Sequence, residues 1–407
     1  VDDGDTNDVV QLSYVGSEAC GECHPGKLDS LLNSGHPYKL NKVVDGQVPT
    51  YPFSDITGAL ELMSDSGEES RTNVRVDITD PDFEIAGNGT DTDNELGTPM
   101  SYDDISYVMG GFGWKARWID ADGYIVTGDA VQYNLPYTLD DGTNVGGTMS
   151  GYHGDEANKP FNCGNCHTTG WKHNDATLND ARQDGLPGMD GTFAEAGIRC
   201  ESCHGAGSEH VKAPSKDNIV KIAAARTTED FLADDMAFGR AVACGECHTR
   251  DGEKDYPSYL SGANNAGYDG DQGGRIIASG GIGKHHEQYD ELLGLDINAD
   301  GSLVLDGNGV PVPLGKHLKA GKTCISCHNP HKTVKYDEED NGIGDAVKDC
   351  ASCHANQEFT VKTHSFQECT DCHMPKMAKS AIWTGTNDAG KDLGDIKTHI
   401  FKIDLDK

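Results

Sequence analysis

The chain has 407 residues, with 33 Lys and Arg against 67 Asp and Glu and a formal charge of −34. Such an acidic balance disfavours nucleic acid and anionic membrane surfaces as partners. No run of 18 apolar residues occurs, which argues against a transmembrane helix.

Only 36% of the residues are hydrophobic, and 51 are Gly. A large core of Leu, Ile and Val is therefore not expected. Either much of the chain is disordered or something other than side chains fills the interior. Trp, Tyr and Gly-rich turns are spread along the whole length, which argues against wholesale disorder. The negative charge reads as solubility and colloidal repulsion, with a cationic or metal-bearing partner as the alternative.

Residues 1–40 begin with "VDDGDTNDVV", expected to be the start of a mature chain whose targeting segment is absent. Val1 leaves no N-terminal Cys for a lipid. Residues 41–150 are predicted to form a β-rich module. Within it "DISYVMGGFGWKARWIDADGYIVTG", 104–128, reads as antiparallel strands with tight turns. Residues 151–260 are read as a second segment, where "TTEDFLADDMAFGRAVACGECH", 227–248, predicts a short helix. Residues 261–320 are a Gly- and Asp-rich connection, with a polar loop over 262–283 and a short helix in "HHEQYDELLGL". In the same connection "DINADGSLVLDG", 296–307, resembles a calcium loop through Asp296, Asn298, Asp300 and Gly301. Its twelfth position is Gly307, with Asp306 one place early, so an acidic hairpin turn is the competing reading. Residues 321–407 complete the chain.

The cysteines fix the chemistry. All 14 fall into seven C-x-x-C pairs: Cys20/Cys23, Cys163/Cys166, Cys200/Cys203, Cys244/Cys247, Cys324/Cys327, Cys350/Cys353 and Cys369/Cys372. Each pair is followed at once by a histidine: His24, His167, His204, His248, His328, His354 and His373. These are motifs 1 to 7. Structural zinc does not require that histidine, and neither does a redox-labile disulfide. C-x-x-C-H is the attachment signature of c-type haem. Two thiols can form thioethers to the two vinyl groups of one porphyrin, and the adjacent imidazole binds its iron. Seven covalent haem c groups are expected, attached outside the cytoplasm. One motif per 58 residues or so lets the porphyrins supply the apolar interior that the side chains lack. Motif 1 forms the first segment, motifs 2–4 lie in 151–260, and motifs 5–7 lie in 321–407.

Ten histidines remain: His36, His153, His173, His210, His285, His286, His317, His331, His364 and His399. Seven irons with two histidines each would use seven of them. The set read as distal ligands is His36, His210, His285 or His286, His317, His331, His364 and His399. His285 and His286 are adjacent, so one imidazole aimed at an iron turns the other away. His173 sits in a polar, turn-like stretch, and His153, in "GYHGDE", could fall either way. Met374 and Met377, in "CHMPKM", read as packing rather than as ligands. His331 lies three residues beyond His328, a span of about 10 Å at full extension, too short to pass round a porphyrin edge. The two are therefore predicted to bind different irons and to tie neighbouring haems together.

Several stretches together resemble a family of secreted multihaem cytochromes c, similar to the octahaem tetrathionate reductase and cytochrome c554 class. They are "CGECHPGKLDSLLNSGHPYKL", "SYVMGGFGWKARWIDADGYIVTG", "CGNCHTTGW", "QDGLPGMDGTFAEAGIRCESCHGAGSEH", "KHHEQYDELL" and "CTDCHMPK…GDIKTHIFKI". The resemblance implies distal-ligand segments at "SGHPY", "GSEH", "CHNPH" and "THIFKI". It also implies a multihaem cytochrome c fold, mostly irregular chain and short α-helices wrapped on a haem stack. A small β-rich module near the N-terminus is added to that fold. One departure stands out. The tetrathionate reductases carry Lys as proximal ligand of an active haem, whereas all seven motifs here end in His.

The expected function is electron transfer by haem-to-haem hopping, with no catalytic residues. The expected partners are redox proteins or extracellular electron acceptors, at the cell surface or outside it, with the periplasm as the alternative. A homopolymer, a filament with a continuous haem chain, is a further expectation, and His36 is a candidate to be donated across subunits. The alternative is an oxidoreductase acting on a nitrogen or sulfur oxyanion at one open-site haem.

Overall fold

The computed structural model describes residues 12–65, 101–138, 144–154, 156–174, 181–221, 241–248, 288–293, 304–307, 315–332, 350–354, 369–374, 376–377, 396–397, 399 and 401. The helix predicted over 227–248 is described from residue 241, and there it is the turn Cys244–Cys247. The 262–283 loop, most of the calcium-like loop, and His285, His286 and His364 lie outside the described residues.

Helix α1 (Ser17–Cys23) holds motif 1 and runs into α2 (Pro25–Leu32), which starts with Pro at its first position, where a missing N–H costs nothing. A 3-10 turn, Pro37–Lys39, leads to β1 (Leu40–Lys42). Helix α3 is Ala59–Asp65. The strands β2 (Ile105–Gly110), β3 (Lys115–Asp120), β4 (Tyr124–Ile125) and β5 (Gly128–Asn134) follow. After the small ribbon β6 (Tyr137–Thr138) and β7 (Asn144–Val145) come β8 (Thr148–Tyr152) and β9 (Lys159–Pro160).

Seven of these strands form one antiparallel sheet in the order β1-β2-β3-β4-β9, with β5 pairing β3 and β8. Alternation along β3 sends Ala116 and Trp118 to one face and Ile119 to the other. Along β2 a register shift between Ile105 and Tyr107 puts Ile105 with Val108, and sends Tyr107 and Met109 to the opposite face. Both faces are therefore buried. Ile56, Ala59 and Leu60 cover one face. Phe161, Trp171 and Met189 cover the other, against Cys163 of motif 2. The sheet is thus the platform on which motif 2 is mounted.

Two ribbons join the sheet to motif 3. One pairs β10 (Thr168–Thr169) with β13 (Glu195–Ala196), and the other pairs β11 (Lys172–His173) with β12 (Gly191–Thr192). His173, expected in a turn, is in a strand. The Gly191 backbone opposite it lets the ribbon lie on Trp171, which a Cβ at Gly191 would strike at 2.6 Å.

Every buried hydrophobic residue among those described lies between Leu31 and Ala206. Beyond Ala206 the buried side chains are Ser208, Glu246 and Glu291. The described part of the chain from Ser208 onward, which carries motifs 4–7, thus has no hydrophobic core of its own.

Candidate haem-binding histidine pairs

Six of the seven motifs lie on single helical turns. Motif 1 is in α1, motif 2 in α4 (Gly164–His167) and motif 3 in α5 (Cys200–His204), and the others are Cys244–Cys247, Cys350–Cys353 and Cys369–His373. The His N–H closes the turn on the first Cys carbonyl: His24 to Cys20 and His248 to Cys244 at 2.9 Å, His328 to Cys324 and His354 to Cys350 at 2.8 Å. Positions i, i+3 and i+4 of a helix share one face. On such a turn both thiols and the imidazole are presented to one side, as a single porphyrin requires.

Two cysteines of the attachment set stand apart, one by its turn type and one because its side chain is outside the described residues. Motif 5 is a 3-10 turn, Cys324–Ser326, and Cys327 falls just beyond it, exposed, with φ −119° and ψ −34°. Its N–H still bonds the Cys324 carbonyl at 3.1 Å, the i to i+3 bond of a tighter turn. The His328 N–H still closes on the Cys324 carbonyl, and the Asn329-to-Lys332 turn that carries His331 follows at once. Cys372 lies within the Cys369–His373 helix, but its side chain is outside the described residues, so its part in holding haem 7 rests on the motif alone.

Five motif histidines each stand against a second histidine from elsewhere in the chain. Ring centroids are 6.5 Å apart for His24 and His210, and 6.2 Å for His248 and His36. They are 6.2 Å apart for His204 and His331, 6.1 Å for His354 and His317, and 5.9 Å for His328 and His399. Two imidazoles on opposite sides of one metal ion, each bound through Nε2 at about 2 Å, set their centroids roughly 6 Å apart. The residues present therefore fit a metal held between them. Each pair joins one C-x-x-C-H histidine to one member of the set read as distal. His328 and His331 face different partners. His36, a member of the distal set and a candidate for donation to a neighbouring subunit, stands against His248 of its own chain.

In five of the motif and distal histidines a ring nitrogen is engaged in the way that fixes a ligating histidine. Nδ1 of His167 meets the Lys39 carbonyl at 2.9 Å, and that of His204 the Val220 carbonyl at 2.6 Å. His210 Nδ1 lies 3.1 Å from the Ser215 carbonyl and 3.0 Å from Asn218 Oδ1. His248 Nδ1 lies 3.1 Å from Gln288 Oε1, and the His36 ring bonds the Pro330 carbonyl. Burial pushes the His36 imidazole down to about 3, with His248 adding to the effect, and the His167 imidazole down to about 4. Burial also lowers His248, His317, His328 and His331. All are held neutral, the form that binds a metal.

The other histidines are placed differently. His153 lies at the surface with Nδ1 2.9 Å from Glu156, and His173 faces Asp190 across 3.8 Å. His167 and His373 have no second histidine within ring-contact range among the described residues. His285, His286 and His364 are outside those residues. Met374 is half-buried beside motif 7.

The motifs touch one another through their cysteines. Cys20 lies beside Cys200, Cys244 beside Cys324, and Cys247 beside Cys166. Cys247 Sγ also lies 3.7 Å from the Asn165 carbonyl. Motif 1 thus abuts motif 3, and motif 4 abuts motifs 2 and 5.

Two acids inside the motif spacers were not flagged by sequence reasoning. Glu201, 1% exposed, accepts the N–H groups of Val15, Gly16 and Gly207 at 2.7–3.1 Å, pinning motif 3 to the entry of α1. Glu246, fully buried, accepts the Ala243 N–H at 3.1 Å. A carboxylate between two haem-attachment cysteines is their sequence signal. The backbone carbonyls of Lys39, Val220 and Pro330 carry none. A cavity of about 370 Å³ lies between motif 1 and the segment after motif 5. Cys23, His24, Lys27, Asn329, His331 and Lys332 are among its lining residues. Two lysines on this wall suit the carboxylates of a porphyrin edge.

Residues 149–205, which hold motifs 2 and 3, match the family model "Cytochrome c554 and c-prime". A 114-residue stretch is 30% identical to the dissimilatory sulfite reductase MccA of Wolinella succinogenes, covering 22% of this chain and 16% of that protein. The chain spans well under two thirds of that relative. Among solved structures it is similar to the outer cell wall cytochrome OcwA, at 17% identity and a TM-score of 0.41, over 96% of this chain and 79% of that one. It is also similar to an undecahaem cytochrome from the S-layer of Carboxydothermus ferrireducens, at 16% identity and a TM-score of 0.37, over 97% and 52%. No described helix is long and apolar enough to cross a membrane. With C-x-x-C-H motifs from one end to the other, and a cytochrome c554 match across two of them, the chain is similar to the multihaem c-type cytochromes.

Proposed function

We propose that this is a heptahaem cytochrome that carries electrons by haem-to-haem hopping through irons ligated by two histidines each. Haem iron supplies the one-electron chemistry, and the chain holds both axial positions closed. The observation that carries the reading is the set of five histidine pairs at 5.9–6.5 Å, each containing a motif histidine. The remaining two motif histidines, His167 and His373, take their second ligands from among His285, His286 and His364. The cysteine contacts support a route in which motif 4 is a junction between motifs 2 and 5. Motif 5 leads to motif 6 through residues 317–328, and motif 3 leads to motif 1.

The setting proposed is extracellular or cell-surface electron transfer, with redox proteins or extracellular acceptors as partners. Subunits join into a filament in which terminal haems abut the next copy. The acidic chain and the absence of a long apolar helix among the described residues are compatible with that setting.

A second reading has its own support. The stretch similar to a sulfite reductase, and the cations Lys39, Arg117 and Lys115 near the buried His167, suit an enzyme that reduces a nitrogen or sulfur oxyanion at motif 2. Electron paramagnetic resonance with spin counting on the oxidised protein separates the two. Seven low-spin irons per chain support the conduit, and imaging the same sample tests the filament. One high-spin iron that shifts on adding sulfite, nitrite or tetrathionate overturns the conduit in favour of the enzyme.

A further inference from the structure

The short helix Gln288–Leu293 touches two histidine pairs at once. Gln288 and Glu291 are three residues apart and share a face of the helix. Gln288 Oε1 lies 3.1 Å from Nδ1 of His248, which pairs with His36. Glu291 Oε2 accepts the His399 backbone N–H at 2.8 Å and lies 3.9 Å from its Nδ1; His399 pairs with His328. Glu291 is 2% exposed, so water does not screen its carboxylate. The helix packs on both the Cys244–Cys247 turn and the Lys316–Lys319 helix. Motifs 4 and 5, the two it serves, touch through Cys244 and Cys324.

A carboxylate beside the outer nitrogen of an axial imidazole makes that ligand more electron-donating, which favours the oxidised metal. A neutral amide does so far less. We propose that Gln288 and Glu291 are positioning residues that set the potentials of two adjacent haem sites apart, with the His328/His399 site the lower and the His36/His248 site the higher. An electron shared by these neighbours rests on the motif 4 side, so flow through this junction has a built-in downhill direction from motif 5 to motif 4. This rests on the bis-histidine haem reading above.

The test uses the full haem-loaded chain. Haem content is measured first. Redox titrations are then followed by electron paramagnetic resonance, which distinguishes a ligand pair with planes at 84° from one at 41°. Glu291→Gln keeps an acceptor for the His399 N–H and removes the charge. It is expected to raise the midpoint of the 41° site by about 59 mV, a tenfold change in a one-electron equilibrium. Gln288→Glu is expected to lower the midpoint of one of the two near-perpendicular sites, at 84° and 83°, by a similar amount and to leave the other unmoved. Both variants are expected to keep their haem content and low-spin spectra.

Unmoved midpoints with full haem content would overturn the inference, as would shifts of the opposite sign. If Glu291→Gln does not fold, Gln288→Glu alone decides. A wild-type chain that carries no haem fails the underlying reading, and this inference with it.

Discussion

His331 stands ring to ring with His204, 6.2 Å between centroids and 9° between planes, although His328, three residues before it, belongs to another pair. One tight turn therefore serves two histidine pairs. Replacing His331 by Ala should free one axial position at the motif 3 haem and leave the motif 5 haem intact. The expected spectrum is one new high-spin iron per chain. Two would mean that the turn fails as a unit.

Metal coordination fixes the distance between paired imidazoles but leaves each ring free to rotate about its bond, so the interplanar angle belongs to the protein. It is 15° for His24 and His210 and 9° for His204 and His331, but 84° for His36 and His248 and 83° for His317 and His354. The oxidised protein should show at least two rhombic low-spin signals from near-parallel pairs and at least two strongly anisotropic ones from near-perpendicular pairs. His36→Ala should remove one of the anisotropic signals and neither rhombic one.

Glu201 receives three backbone N–H groups and is buried, so removing its carboxylate leaves donors without water or partner. Glu201→Ala should cost about 2–4 kcal/mol. Glu201→Gln, which still accepts, should cost less. Thermal unfolding followed by far-UV circular dichroism would measure both. Because Val15 and Gly16 are among the donors, proteolysis near residue 12 should accelerate in the alanine variant.

Asp120, at the end of β3, tests the sheet without touching the histidines. Burial pushes its carboxyl up to about 6, against the backbone N–H bonds from Tyr124 and Asp122. The folded state then holds a proton between about pH 4 and 6 that the unfolded chain has released, so this group makes the fold more stable as pH falls through that window. Above pH 6 its desolvation is an unrelieved cost. Asp120→Asn keeps the acceptor, so it should flatten this part of the pH–stability curve. It should stabilise the fold by about 1–3 kcal/mol at pH 7, as read by denaturant unfolding.

Much of the site can be read from sequence because covalent haem attachment needs a fixed local spacing, which C-x-x-C-H displays directly. The spacing does not dictate the turn type, however: motif 5 opens on a 3-10 turn where the other motifs lie on α-helical ones. The hairpins of 104–128 are also legible, since Gly123 in "DADG" takes a positive φ of 88° and alternation marks Trp118 and Ile119 to opposite faces. That His328 and His331 would part ways follows from chain reach alone. Which distant histidine meets which motif is not legible, because the pairing is set by packing between segments far apart in sequence. His173 was misread because "GWKHND" looks like a polar turn, whereas the Gly191 strand that pairs with it lies elsewhere in the chain. Gln288 and Glu291 are ordinary helix surface residues until the fold brings His248 and His399 to them.

The five histidine pairs join position 24 to 210, 36 to 248, 204 to 331, 317 to 354 and 328 to 399, so their spans overlap. No cut between residues 24 and 399 leaves every pair whole. Folding such a chain must close long loops before their contacts reward it, which makes it slow and dependent on late-arriving residues. The same interlacing means that a fragment ending short of residue 248 leaves His36 idle, and one ending short of 331 strands His204. These pairs leave no severable modules: a nick anywhere between residues 24 and 399 parts at least one of them, and between 204 and 210 or 328 and 331 it parts three.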